Sequence, residues 1–167
     1  MQPDDLEDET SASPGGMTPL HPDQLQVMRI RAAIATLVLA AAAAVAGWTL
    51  LGDGLAAAAP VAVLLLGAFA AIVLAPRRYR AWGYAEGEDE LAISRGLWVR
   101  RRTVVPFGRV QHIDVAQGPI ERRFGLATLI LHTAGTRGAA VPLPGLKQDR
   151  AEKMRDRIRA KIRQDLV

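Results

Sequence analysis

The chain has 167 residues, a formal net charge of +4 and no cysteine. That length suits one domain of ordinary size, and the lack of cysteine excludes disulfides and thiolate metal sites. The charge is uneven: residues 1–19 carry Asp4, Asp5, Glu7, Asp8 and Glu9 and no base, while from Ala81 onward sixteen Arg and Lys face ten Asp and Glu, an excess of +6.

Residues 1–19 also contain Ser11, Ser13, Pro14, Gly15, Gly16 and Pro19. So polar a segment buries too little surface to offset chain entropy and predicts a disordered acidic tail. It lacks the basic start and apolar run of a secretory signal. Residues 20–80 read as a helical hairpin. Asp23 is a plausible N-cap for a helix that runs through Gln24–Arg31 into the first of two uncharged apolar stretches, 32–51 and 55–75. Each stretch is about 20 residues, enough to cross a ~30 Å hydrocarbon core. They are apolar all round, whereas a helix on a soluble core keeps a polar stripe.

Gly52-Asp53-Gly54 between them is a turn signal. Arg29 and Arg31 flank the first span and Arg77, Arg78 and Arg80 follow the second, so the positive-inside rule places both ends in the cytoplasm. Trp48 at the outer end, and Tyr79 and Trp82 at the inner end, suit interfacial positions. Small residues four apart, Ala40 with Ala44 and Ala43 with Gly47, predict close packing of the two helices.

From Ala81 the period changes to that of strands. Strands are predicted at Trp82–Ala85, Glu90–Ser94, Leu97–Val105, Val110–Gln117, Ala127–Thr133 and Ala139–Leu143, with turns at Glu86–Asp89, Arg95-Gly96 and Ala134–Gly138. Pro119–Phe124 reads as a helical turn closed by Gly125. A terminal helix follows, with Leu146, Ala151, Met154, Ile158, Ile162 and Leu166 on one stripe. The expected fold is α+β with a membrane anchor. A two-helix transmembrane hairpin precedes a small antiparallel β barrel, over 81–167, capped by the C-terminal helix.

The run Val105-Pro106-Phe107-Gly108-Arg109-Val110-Gln111-His112-Ile113-Asp114-Val115, continued by Gln117-Gly118-Pro119-Ile120-Glu121-Arg122-Arg123-Phe124-Gly125-Leu126-Ala127-Thr128, resembles the YdbS-like bacterial membrane proteins. The order of parts matches from Leu20 to the C-terminus. The resemblance implies a pleckstrin-homology-like (PH-like) barrel at the bacterial inner membrane, multi-pass, and implies no activity.

Catalytic chemistry finds little support in the residues. Ser94 lacks a Gly-x-Ser-x-Gly context. His112 and Asp114, two apart on one strand, share a face as a base–orienter pair would; exposed polar residues on a strand are the simpler reading. With His132 they fall short of a metal site, no phosphate-binding loop is present, and no cofactor or catalytic residue is expected. Arg100 and Arg102 share a face of their predicted strand with Arg101 opposite, and Arg122 and Arg123 sit in the turn before Gly125.

These four arginines, Arg100, Arg102, Arg122 and Arg123, are the candidate contacts to anionic lipid or a protein partner. Aromatic residues are too few for nucleic-acid stacking platforms, so nucleic acid is not an expected partner. The expected function is a non-enzymatic, membrane-anchored interaction module. Its partners would be the bilayer and a second membrane protein of related build or another copy of the chain. The alternatives are a structural subunit acting through its hairpin and an enzyme using His112 and Asp114.

Overall fold

A computed structural model describes residues 16–50, 58–134 and 140–164. The chain divides into two units, one formed by the spans over Leu25–Tyr79 and the other by the segment up to Gln24 together with Arg80–Val167. The predicted outer turn at Gly52–Gly54 and most of the turn at Ala134–Gly138 lie outside the described residues, as do residues 1–15 of the expected tail.

In the first unit, α1 (Asp23–Leu50) supplies the first span, longer at its start than the apolar run alone. The second span comprises α2 (Ala58–Phe69), a π-helical turn (Ala70–Leu74) and α3 (Ala75–Arg80). Only 11% and 6% of their most apolar windows are buried. Leu37, Val38, Leu65, Leu66 and Ile72 point outward. Apolar side chains facing outward on every side need hydrocarbon rather than water around them.

On α1, Ala40 and Gly47 are buried and Thr36 and Ala43 half-buried, while Ala44 is exposed. The small-residue face therefore runs through positions 36, 40, 43 and 47, alternating steps of four and three, and the predicted Ala44 lies off it. Thr36 packs directly on Gly67 of α2. In the π turn, the Ala75 N–H bonds to the Ala70 carbonyl. Pro76 follows at once. Proline carries no N–H and clashes with the carbonyl four residues earlier, and a widened turn gives that ring room.

The second unit holds two three-stranded antiparallel sheets and a helix. Strands β1 (Gly83–Glu86), β2 (Glu90–Arg95) and β3 (Arg101–Pro106) pair in that order, as do β4 (Val110–Ala116), β5 (Leu126–Thr133) and β6 (Ala140–Lys147). The short helix α4 (Pro119–Arg123) joins β4 to β5, and α5 (Gln148–Gln164) closes the domain. Leu91 and Ile93 from the first sheet, Leu126, Leu129, Leu131 and Leu143 from the second, and Ala151, Met154 and Ile158 from α5 form the core. Full burial of a leucine contributes about 1.5–3 kcal/mol, so this cluster dominates the domain's stability. Arg157 and Lys161 of α5 reach across to Glu86 at 2.9 Å and Asp89 at 3.1 Å, so the acidic turn is docked on the helix.

Three boundaries differ from the sequence reading. β3 begins at Arg101, and Leu97–Arg100 form a loop rather than the start of the strand. β6 runs through Pro142 and Pro144 to Lys147. It is an edge strand, where proline's missing donor is tolerated, and Gly145 at φ 73° sits in a bulge opposite β5. Leu146 thus belongs to the strand. Finally, the segment before the spans is part of the β domain. Thr18 pairs with Tyr84 of β1 through hydrogen bonds of 2.7 and 2.9 Å. Leu20 is buried, and the His21 N–H bonds to the Gly145 carbonyl at 2.9 Å. The polar composition that predicts disorder up to residue 19 masks this short anchoring strip.

Candidate functional site

The structure divides the four candidate arginines between two elements. Arg102 lies on β3 and Arg100 in the loop before it, whereas Arg122 and Arg123 are on α4 before the other sheet. All four are exposed, and none forms an ion pair among the described residues. Of the flanking arginines, Arg29 and Arg31 lie within α1, and Arg77, Arg78 and Arg80 within α3.

The loop changes the character of the Arg100 region. Gly96 adopts φ 118°, and a Cβ there would overlap the Val99 carbonyl, so only glycine lets the chain fold back so tightly. The turn projects Trp98 and Val99 outward, 93% and 77% exposed. Arg95 and Arg101, opposite one another in the register of β2 with β3, close the hairpin beneath them. The result is an indole and a valine at the tip with Arg100, Arg101 and Arg102 behind them, all exposed. Sequence alternation alone would place Trp98 across a strand. The signal available for the tip was the Arg95-Gly96 turn followed by two large apolar residues and a basic run.

The tip lies at a defined end of its sheet. Gly83, where β1 begins, is paired with Ser94 at the end of β2. The chain therefore enters the sheet from Arg80 at the same end from which the tip projects. Trp82 lies between them, with the Arg95 guanidinium 5.9 Å from its ring centroid, within cation–π range.

The run around α4 that carries the family resemblance forms a structural clamp. Glu121 is buried, and its carboxylate accepts hydrogen bonds from the Gly118 N–H at 2.8 Å and the Thr128 hydroxyl at 3.1 Å. The Gln117 amide donates to the Leu126 carbonyl at 2.8 Å, and Gly125, at φ 62°, offers its carbonyl to the N–H of Gln148 at the start of α5. Gln117, Glu121, Gly125 and Thr128 thus tie β4, β5 and α5 together. Arg122 and Arg123 project from that clamp into solvent.

His112 and Asp114 do come together, with Nε2 to Oδ1 at 2.7 Å, and His132 on the paired strand joins them with Nε2 to Oδ2 at 3.0 Å. The two rings stand 5.7 Å apart. The carboxylate is shared between two imidazoles, a cross-strand polar cluster on a partly open face. The three side chains bond to one another rather than to a common point, and among the described residues no group of three such ligands is placed to hold a metal ion.

Comparison with known proteins places these features in a family. The family model for the bacterial PH domain matches residues 32–162, well over half the chain. The transmembrane protein YdbS of Bacillus subtilis (strain 168) is 38% identical over 98 residues, which cover 58% of this chain and 60% of that protein. The chain thus spans less than two thirds of that relative's length. No solved structure matches.

Proposed function

Because the chain belongs to the bacterial PH-domain family, as a YdbS-like membrane protein, we propose that it is a non-enzymatic, membrane-anchored interaction module. In this reading the PH-like domain contacts an anionic bilayer surface through the β2–β3 tip. The observation that carries it is the solvent-exposed Trp98–Val99 pair backed by Arg100, Arg101 and Arg102. Large exposed apolar side chains are costly in water. An indole settles favourably at the headgroup level, and each nearby arginine adds up to about 1 kcal/mol of attraction to anionic lipid. Arg122 and Arg123 form a second, separate basic contact.

Within the domain, the tip projects from the end of the sheet at which β1 begins. The charge flanks at Arg29, Arg31, Arg77, Arg78 and Arg80 favour a cytoplasmic side for both ends of the hairpin. The pairing of Thr18 with Tyr84 joins the two flanks of the hairpin, which supports both lying on one side of the bilayer.

The cysteine-free chain permits a clean test. Val99→Cys carrying an environment-sensitive fluorophore is placed in nanodiscs of phosphatidylcholine, with or without phosphatidylglycerol. Blue-shifted emission and quenching by brominated lipid, greater with the anionic lipid and lost on replacing Arg100, Arg101 and Arg102 by glutamine, is the expected result. Emission that stays as in water in every lipid would sink the reading.

A further inference from the structure

The geometry points to a second recognition site: we propose that the groove between β4 and α5 accepts an extended acidic segment of a partner protein as an added strand. It takes the domain as an interaction module, as above, and assigns a surface separate from the Trp98 tip. The groove encloses about 570 Å³. Val110 and Ile113 of β4 and Ile162 of α5 contribute its apolar lining, and Arg155, Arg159 and Arg163 its charge.

Three features of the fold converge there. First, β4 is an edge strand of its sheet, pairing only with β5 among the described residues. An edge presents backbone donors and acceptors to any extended chain, and side-chain pockets beside it then select the sequence. Second, arginines at steps of four lie on one helix face, so the three guanidiniums form a column along the groove. Third, the charge is only partly compensated, by Asp156 and Glu152 on the same helix. Asp156 bonds to Arg155 at 2.9 Å, and that bond holds the Asp156 carboxyl below its usual range. Arg159 also feels Asp156 but forms no direct ion pair with it, and Arg163 forms none among the described residues.

An occupant must therefore be extended and must alternate apolar and acidic side chains, because successive residues of a strand face opposite ways. A basic or proline-rich segment fits neither the charge nor the edge. A lipid headgroup would meet the arginines but would leave the strand edge unused.

The test uses the full chain in zwitterionic detergent micelles and a fluorescein-labelled peptide of alternating Glu and Val, followed by fluorescence anisotropy. Saturable binding is expected, absent for a Lys–Val peptide and lost when alternate backbone amides of the Glu–Val peptide are N-methylated. The double substitution Arg159→Glu and Arg163→Glu should weaken binding at least about tenfold, as expected for charge reversal at a desolvated contact. Asp156→Asn, which releases Arg155, should tighten it, and this variant keeps the test informative if the double substitution impairs folding.

Trp98→Ala should leave peptide binding unchanged, so failure of the bilayer contact and failure of this site are separable. Equal binding of the N-methylated peptide, indifference to both sets of substitutions, or displacement of the peptide by phosphatidylglycerol alone would overturn the proposal.

Discussion

The hydroxyl of Thr128 on β5 donates to the buried carboxylate of Glu121 on α4 at 3.1 Å. The same carboxylate receives the Gly118 N–H, so one side chain closes both ends of the β4–β5 connection. Removing it leaves two part-buried donors unpaired, at about 1–3 kcal/mol for each group fully cut off from water. Glu121→Ala is therefore expected to destabilise the domain by about 2–3 kcal/mol, whereas Arg122→Ala and Arg123→Ala should stay within about 0.5 kcal/mol, as for ordinary surface changes. Thermal unfolding in micelles, followed by far-UV circular dichroism, separates the two outcomes.

Gly67 marks the contact between the spans. A Cβ on it would overlap the Thr36 side chain, lying 2.6 Å from the Thr36 Cβ itself. Gly67→Ala should force the helices apart and lower the melting temperature in micelles, while Leu66→Ala on the outward face should have little effect in detergent. Thr36→Ala should relieve part of the Gly67→Ala defect. A double-mutant cycle with no coupling would mean that the helices do not meet there.

At Gly145 two constraints coincide. Its φ of 73° strains any L side chain, and an added Cβ would stand 2.8 Å from Gln24 Cγ. Gly145→Ala should cost about 1–3 kcal/mol. Gln24 itself is buried with its Oε1 unpartnered, and such a group is destabilising. Gln24→Met, similar in volume, should leave stability unchanged or raise it. Chemical denaturation of the two variants checks both signs.

The tip depends on Gly96 as its hinge. Gly96→Ala retains Trp98 and every arginine yet deforms the turn over the Val99 carbonyl. The fluorophore at position 99 should then lose most of its lipid-dependent blue shift. An unchanged shift would show that composition rather than loop geometry presents the tip.

Much of this architecture was legible in the residues because the signals were local. Two uncharged runs announced the spans, and period-two alternation located β2 and β5. The Gly125 turn and the Ala151–Met154–Ile158 stripe placed α4 and α5. What stayed hidden required partners far along the chain. Nothing near Leu97 says that the strand starts only at Arg101, because that depends on where Arg95 finds its partner. Pro144-Gly145 reads as a strand end until the edge position of the strand is known. His132 joins His112 and Asp114 only through the register of β4 with β5. The groove, too, exists only once α5 has packed against an edge strand.

Thr18 and Tyr84 pair although both membrane spans lie between them in the chain. The β domain is in effect split, with the hairpin as an insert, and its first strip leaves the ribosome well before its remaining strands. That strip keeps Leu20 unburied until Tyr84 has been synthesised beyond both spans. A fragment cut at Ala81 would lack the plug that Leu20 supplies. Biophysical work on this protein therefore belongs with the whole chain or with a fusion that rejoins Gln24 to Arg80 through a short linker.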